Sequence, residues 1–196
     1  MLPVVTPAEM SDIDADAPEP KQVLIQRAGY AAANAAIAIL GGGYGRRVNI
    51  IAGKGNNGED GRIVAQVLTR RGVRCALRDP GSALLDECDL VIDAAYGTGF
   101  RDSWDPPPQP KSPVLAIDIP SGVDGLTGQD FGSLQAQHTV TFGALKPGLL
   151  LEPGVSRAGE VHVSDLGLDV TRCRAAFLTD QDLQDPLTQR TPTDHK

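Results

Sequence analysis

The chain has 196 residues, of which 41% are hydrophobic, which suits one domain built around one core. Its 25 acidic residues outnumber 18 basic residues, and the net charge of -7 argues against nucleic acid as the main partner. No apolar run approaches the roughly 20 residues that cross a bilayer, and no signal-like segment opens the chain, so we expect no membrane association. Three cysteines without CxxC spacing favour reduced thiols and a cytoplasmic location.

Two helices are predicted before the first strand. Thr6, Pro7 and Glu9 form a helix start, with a capping hydroxyl, a proline in the first turn and an acid three residues after the cap. The acidic residues of this helix look like a solvated face and its flank; they are Glu9, Asp12, Asp14 and Asp16. An alanine-rich, periodic stretch over residues 21–40 predicts the second helix, which the following glycines end.

Six strands are predicted along the rest of the chain, at residues 48–52, 73–77, 90–94, 114–117, 139–142 and 161–163. Continuous apolar strands such as LVIDAA and VLAID indicate burial on both faces, as in a parallel sheet covered by helices. Only the first strand is followed by a full crossover helix. Residues 82–88 leave room for little more than two helical turns, and prolines forbid a regular helix in WDPPPQPKSP. We therefore expect shortened crossovers after strands 2 and 3 and a thinly covered flank.

A glycine-rich loop follows the first strand, in the stretch VNIIAGKGNNGEDG at residues 48–61. Its glycines let the backbone approach a ligand, and the N-terminus of the next helix directs free N–H groups at an anion. Its asparagines and acids also offer oxygen ligands. The loop is neither the dinucleotide fingerprint GxGxxG nor a Walker loop. It predicts a nucleotide or cation site.

Three more polar features follow predicted strands. Asp93 ends one strand before AAYGTG, Asp118 ends the next before IPSG, and Lys146 follows a third within GALKPG. Ligands of open α/β sheets bind beyond the carboxyl ends of the strands, so these residues are site candidates. Each also has a simpler interpretation, as a turn cap for the aspartates and as a solvated side chain for the lysine. His138 and His162 lack metal-ligand spacing and are interpreted as packing or surface residues.

Four motifs appear in an order that resembles one family: GKGNNGEDG, IDAAYGTGF, AIDIPSGVDGLTG and TVTFGALKPGLL. They resemble the YjeF N-terminal domain family, the NAD(P)H-hydrate epimerases, over about residues 4–170. The tail ending RTPTDHK is similar to the opening of the ADP-dependent dehydratase domain of bifunctional repair enzymes. The resemblance implies an epimerase-like domain over residues 1–175 and a polar linker over residues 176–196, with a dehydratase either fused or separate.

The resemblance implies a Rossmann-like three-layer sandwich with a mostly parallel central sheet. It implies interconversion of the R and S forms of NADH and NADPH hydrated at C6 of the nicotinamide ring, with a bound potassium ion. Asn57, Asp93 and Ser121 match the potassium ligands, and Asp118 and Lys146 match the catalytic positions. The positions that match substrate-binding residues are Asn56, Asn57, Gly58, Glu59, Asp60, Gly97, Thr98, Gly99, Phe100, Arg101, Asp102, Ser103 and Asp118.

The chain departs from the family pattern in both substrate loops. Glu59 replaces the second glycine of GNNGGDG, where a positive φ would strain it by roughly 1 kcal/mol or more and its charge would repel a pyrophosphate. The sequence RDS at residues 101–103 replaces the usual glycine-containing end of the GTG loop. These changes favour a non-catalytic scaffold or nucleotide-binding module, whereas the intact aspartates, serine and lysine favour an enzyme. A homodimer would cover the thin flank.

Overall fold

The fold is seen in a computed structural model, which describes residues 1–182; the part of the predicted linker over residues 183–196 lies outside them. The strands are β1 (Leu2–Val4), β2 (Arg47–Ala52), β3 (Arg74–Arg78), β4 (Leu90–Ala94), β5 (Val114–Ile117), β6 (His138–Phe142), β7 (Glu160–Ser164) and β8 (Ala175–Phe177). The helices are α1 (Pro7–Asp16), α2 (Lys21–Leu40), α3 (Asn56–Arg70) and α4 (Gly154–Ala158), with a 3₁₀ turn at Pro147–Leu149.

The six predicted strands form one sheet in the order β3-β2-β4-β5-β6-β7, and every neighbouring pair is parallel. Each predicted strand agrees with the observed one to within one residue at either end. The predicted α/β, Rossmann-like fold is therefore confirmed. Because all six strands run the same way, the loops that follow β2, β4, β5 and β6 meet at one edge of the sheet.

The first two helices begin and end where local sequence signals place them. The Thr6 side chain accepts a hydrogen bond from the Glu9 N–H, and the Glu9 side chain accepts one from the Thr6 N–H, which completes a capping box. α2 ends at Gly41, whose φ of 65° is left-handed. α2 and α3 approach each other closely at Gly29, which has no side chain. A Cβ at this position would lie only 2.4 Å from Cγ2 of Ile63.

By length and composition alone, α2 qualifies as a membrane-spanning helix. Its alanine stripe, including Ala28, Ala32 and Ala36, is instead buried in the main core with residues of α3 and the sheet. The same apolar composition therefore serves as the packing face of a core helix in this fold.

The two faces of the sheet are covered differently. α2 and α3 cover one face, whereas Trp104, Leu134 and Ala136 from irregular segments cover much of the other. The two helical turns for which residues 82–88 have room do not form, since this connection contains only turns and irregular structure. A stretch this short gains few internal hydrogen bonds for the cost of helix nucleation. Irregular segments thus replace helices on this face, and they bury it well, with Val91 and Ala116 at 0% exposure.

A second, two-stranded sheet joins β1 to β8 in antiparallel fashion, with Leu2 opposite Phe177. The Met1 ammonium group lies 2.7 Å from a carboxylate oxygen of Asp182. Residues 176 and 177, which the sequence placed in a polar linker, therefore belong to a paired strand. Three-residue strands leave too weak a pattern in sequence to be recognised without their partner.

Candidate functional site

A cavity of about 770 Å³ lies at the carboxyl edge of the parallel sheet. α1, the N-termini of α2 and α3, and the loops after β4, β5 and β6 surround it. Nine of the residues singled out in the sequence line it, and they are Asn56, Asn57, Asp60, Gly97, Thr98, Gly99, Phe100, Asp118 and Lys146. The predicted convergence of separate loops at one edge is therefore present in the fold.

Five residues assigned to substrate binding by resemblance do not line this cavity, and they are Gly58, Glu59, Arg101, Asp102 and Ser103. Gly58 is buried where α3 meets the preceding loop, and a Cβ there would lie 1.9 Å from the Gly53 carbonyl oxygen. The Arg101 guanidinium donates to the carbonyl oxygens of Thr98 and Phe100, at 2.7 and 2.8 Å. Gly58 and Arg101 thus stabilise the loops that border the cavity, Gly58 in the loop before α3 and Arg101 in the loop after β4, without lining the cavity themselves.

The expectation that Glu59 is strained is wrong. Glu59 lies in the first turn of α3, and among the described non-glycine residues only Asp118 and Leu166 have positive φ. A carboxylate in the first turn of a helix is favoured by the helix dipole. Since Glu59 also stays out of the cavity lining, its presence does not alter the shape of the site.

Lys146 is the most deeply buried charged group of the cavity, with 1% of its surface exposed. Its ammonium group donates to Asp118 Oδ1 at 2.6 Å, to Thr141 Oγ1 at 2.8 Å and to the Phe142 carbonyl oxygen at 2.7 Å. Three donors therefore meet three acceptors, which offsets the cost of burying the charge. The Thr141 hydroxyl in turn donates to Asp118 Oδ1 at 3.2 Å.

Asp118 has an unusual backbone that fixes where its carboxylate points. Its φ is 67°, a left-handed conformation that costs a non-glycine residue roughly 1 kcal/mol or more. Its N–H donates to the Val140 carbonyl oxygen at 2.7 Å. Oδ1 faces Lys146, whereas Oδ2 faces Gly97, 3.9 Å from where a Cβ on that glycine would lie. Oδ1 of Asp118 is thus held by Lys146, and Oδ2 borders the cavity.

Asp93 is wholly buried one strand away. Its Oδ1 accepts from the Ser121 hydroxyl at 2.6 Å and from the Ala95 N–H at 3.2 Å, and its Oδ2 accepts from the Ser121 N–H at 2.8 Å. Within residues 1–182 no basic side chain forms an ion pair with it. Burial raises the pKa of this carboxyl group, against the opposing effect of its hydrogen bonds to Ser121 and Ala95.

Asn57, Tyr96 and Ser121 connect this buried carboxylate to the cavity. The Asn57 side-chain amide donates to the Tyr96 carbonyl oxygen at 2.8 Å, and the Tyr96 N–H donates to Ser121 Oγ at 2.8 Å. Oδ1 of Asn57 is buried and has no hydrogen-bond partner among the described residues. A buried carboxylate without a counter-charge beside an unpartnered amide oxygen forms an oxygen-rich setting that suits a cation.

Asp60 has an electrostatic property that the sequence did not reveal. It is 7% exposed, and its Oδ1 is buried without a hydrogen-bond partner among the described residues. Burial, followed by the negative charges of Asp118, Glu59 and Asp14, raises its pKa to about 8. Asp60 is therefore largely protonated at pH 7, and it is a candidate proton donor.

Asp14 was predicted to be part of a solvated face, and this interpretation is incomplete. Its side chain is exposed, yet it lines the mouth of the cavity together with Met10 and Ser11. Residues 10 and 14 are four apart on α1 and so share one helix face. That spacing, with buried Met10 marking the inner face, is the sequence signal that would have placed Asp14 at the site.

Aromatic side chains brace the loop after β4. The Tyr96 and Phe100 rings stack with centroids 4.0 Å apart, and Trp104 meets Tyr96 edge-on at 5.8 Å. The Trp104 indole N–H donates to the Pro80 carbonyl oxygen at 2.9 Å, and its backbone N–H donates to the Phe131 carbonyl oxygen at 2.9 Å. The irregular layer on the second face thus supports the loop that borders the site.

His138 and His162 lie at the opposite edge of the sheet. They meet Glu160 at the amino ends of β6 and β7 and take no part in the cavity. His138 is half-buried and His162 is exposed, which agrees with their interpretation as surface residues. They lack metal-ligand spacing along the chain, but the pairing of two parallel strands brings them together.

The parallel sheet, the glycine-rich loop before α3 and the Asp118–Lys146 pair define a Rossmann-like α/β protein with a nucleotide-sized site at its carboxyl edge. The family described as YjeF-related protein N-terminus matches residues 21–79 and 76–148. The chain belongs to this family.

Named relatives agree with this assignment. The chain is 31% identical to an NAD(P)H-hydrate epimerase of Leuconostoc citreum, across 85% of this chain and 91% of the relative. It is 34% identical to the bifunctional NAD(P)H-hydrate repair enzyme Nnr of Moorella thermoacetica, across 84% of this chain and 40% of that enzyme. The crystal structure of yeast ynu0, YNL200c, matches 92% of this chain and 98% of its own, with a TM-score of 0.58 and 18% identity, which supports the fold.

Proposed function

We propose that the protein is an NAD(P)H-hydrate epimerase, which interconverts the R and S forms of hydrated NADH and NADPH. Relatives with this name match most of the chain. The observation that carries the proposal is the Asp118–Lys146 pair, which borders a cavity large enough for a nucleotide. One ground for the non-catalytic alternative was Glu59, which is neither strained nor part of the cavity lining.

The reaction requires a carbon to lose and regain an oxygen. The C6–O bond breaks with assistance from the ring-nitrogen lone pair, which leaves a planar iminium cation, and one proton accompanies the departing oxygen to form water. Water then adds to the other face and gives up one proton, so the hydrate is regenerated with inverted configuration. The reaction needs no oxidant or reductant.

Asp118 and Asp60 are suited to opposite halves of this proton transfer. The Oδ2 of Asp118 borders the cavity and accepts a proton from the attacking water, while its charge stabilises the cationic intermediate. Asp60, whose pKa is raised to about 8, donates a proton to the departing hydroxyl group and regains one through exchange with water when Asp118 releases the proton it has accepted. Lys146 is a positioning residue, because it holds Oδ1 of Asp118 and leaves Oδ2 for the substrate side.

The charges of the cavity favour such a cation. Apart from Asp60, which is largely protonated at pH 7, three acidic residues line it, Asp14, Glu19 and Asp118, against the two basic residues Lys21 and Lys146. The resulting excess of carboxyl groups stabilises positive charge that develops on the ring. The phosphates need a different environment, which the free N–H groups at the N-terminus of α3 supply.

Potassium is proposed as the cofactor, held by Asn57, Asp93 and Ser121. The support is the fully buried Asp93 carboxylate and the buried Oδ1 of Asn57, which have no basic partner and no hydrogen-bond partner, respectively, in the described part of the chain. These are hard oxygen donors, as an alkali cation requires. When bound, the ion would supply positive charge that orders the loops around Tyr96.

Two kinds of protein partner are proposed. One is a second copy of the chain, in a homodimer. The other is a dehydratase, fused to or separate from the chain; the Moorella relative, named bifunctional, supports the fused arrangement.

The proposal is tested by comparing the wild-type protein with Asp118→Asn for conversion of the isolated R epimer at pH 7, after subtraction of the spontaneous rate. We expect the catalysed rate to fall by about 10²- to 10⁴-fold, the usual contribution of a general base. Asp105→Asn, at an exposed aspartate outside the cavity, is the matched control. A folded Asp118→Asn protein that retains the wild-type rate would contradict the assignment, and an inactive wild-type protein would contradict the function.

A further inference from the structure

A second cluster of ligand-type side chains lies far from the cavity, at the amino ends of β6 and β7. In the register of these parallel strands His138 is opposite Glu160, and Val140 is opposite His162. Because alternate residues of a strand share a face, His138, Glu160 and His162 project from the same side of the sheet. The exposed β7 strand is the edge of the sheet, so this side is accessible.

Two separations within the cluster are close to those between ligands of one metal ion. Nδ1 of His138 lies 3.5 Å from one oxygen of Glu160, and Nε2 of His162 lies 3.4 Å from the other. One ligand atom from each of the three residues lies within 4.8 Å of the others. Tetrahedral Zn²⁺ with bonds of about 2.0–2.1 Å places its ligand atoms about 3.3 Å apart.

The contacts inside the cluster are two N···O approaches between the histidines and Glu160, which are ion pairs only when the histidines are protonated. The hydrogen bonds among the described residues include none between Glu160 and either histidine. The two imidazole rings are nearly parallel, with an interplanar angle of 20° and centroids 6.3 Å apart. Two imidazole nitrogens and a carboxylate, gathered without hydrogen bonds between them, form a donor set for a borderline metal ion.

We propose that His138, Glu160 and His162 bind one Zn²⁺ ion and thereby clamp the edge strand β7 to β6. Imidazole favours zinc-type transition metals, whereas Mg²⁺ and Ca²⁺ prefer sites made only of oxygen ligands. Three protein ligands leave a fourth position, which water fills. The site is independent of the proposed epimerase reaction, since none of its residues lines the cavity.

The test uses the untagged, EDTA-treated protein and titration with Zn²⁺, followed by isothermal calorimetry. We expect one equivalent to bind and the melting temperature to rise, because an ion that binds the folded state stabilises it. His138→Ala and His162→Ala should each weaken binding by about 10-fold or more, since changes even to outer-shell partners cost 10- to 100-fold. Mg²⁺ and Ca²⁺ at the same concentration should produce neither effect.

Two controls separate this site from other zinc ligands. His195→Ala removes the remaining histidine of the sequence and should bind Zn²⁺ as the wild type does. Co²⁺ used as a probe should show visible d–d bands without a thiolate charge-transfer band, because the site contains no cysteine. Equal binding by wild type, His138→Ala and His162→Ala, a thiolate band, or no stoichiometric binding would each overturn the proposal, whether or not the protein is an epimerase.

Discussion

Asp93 and Asp118 lie at the carboxyl ends of neighbouring strands but in opposite electrostatic settings. Asp118 follows β5 and has its positive charge within the chain, at Lys146. Asp93, in β4, is completely buried and is surrounded by neutral donors from Ser121 and Ala95. The comparison teaches that strand position brings a carboxylate to the site, whereas the residues of adjoining loops determine whether it needs an external cation.

The largest expected effect tests whether Asp118 and Lys146 work as a unit. Lys146→Met should lower the epimerisation rate by about 10²-fold or more, because Asp118 loses the group that orients it. The double variant Asp118→Asn/Lys146→Met should be little slower than the slower single variant, since groups that act together are strongly non-additive. Single-turnover rates of the R epimer give the measurement.

Lys111→Met, at an exposed lysine of the proline-rich segment, serves as the matched control. Circular dichroism establishes that each variant is folded. If the losses add fully in the double variant, the two residues act independently. The statement that Lys146 serves Asp118 as its positive partner in the reaction would then be contradicted.

The second prediction concerns the missing counter-charge at Asp93. At a potassium concentration ten times its Kd, the wild-type protein should gain about 1.4 kcal/mol, or roughly 3–6 °C in Tm. Asp93→Asn, which keeps the shape but not the charge, should lose this response. Thermal unfolding in potassium chloride against choline chloride of equal ionic strength makes the comparison. An identical potassium-specific rise in both proteins would place the ion elsewhere.

Asp60 sharpens the comparison because, within residues 1–182, it has neither a lysine partner nor a set of hydrogen-bond donors. Its pKa, raised from 3.8 to about 8, means that the folded state holds a proton that the unfolded state releases near pH 4. Its contribution to stability is therefore fully present below about pH 4 and is lost as the pH rises through 8. Asp60→Asn should abolish much of this loss, which we expect to be a few kcal/mol.

Urea unfolding at intervals from pH 4 to pH 9 measures the effect. Asp12→Asn, at an exposed aspartate of α1, controls for a change of surface charge. Parallel pH–stability curves for wild type and Asp60→Asn would contradict the raised pKa and remove Asp60 as the acid of the reaction.

The smallest effect is expected at Glu59. Its negative charge is one of the causes that raise the pKa of Asp60, so Glu59→Gln should move the Asp60 titration to lower pH. The epimerisation rate at pH 7 should stay within about twofold, as for surface substitutions in general. The midpoint of the pH–stability curve reports the shift. A large loss of substrate affinity would instead show that Glu59 reaches the nicotinamide nucleotide.

The sequence predicted the parallel sheet well because its evidence is local. Continuous apolar runs, glycine turns and capping residues each act within a few positions, which is why six strands and the first three helices were placed closely. The convergence of loops also followed, since parallel strands bring their carboxyl ends to one edge.

Features that depend on distant partners were missed. β8 is a strand only because β1 pairs with it across the length of the domain. The raised pKa of Asp60 arises from burial and from charges on α1 and after β5, which a linear pattern does not contain. The cluster of His138, Glu160 and His162 likewise depends on the register between two strands, which spacing along the chain does not reveal.

The aromatic brace has a practical consequence for watching the site at work. Trp104 is the single tryptophan of the sequence, and its buried ring touches the ring of Tyr96. The backbone of Tyr96 joins Asn57 to Ser121. Intrinsic fluorescence excited at the indole band therefore comes from one known place, and a change of emission on adding salt or nucleotide reads out the ordering of this loop without any label.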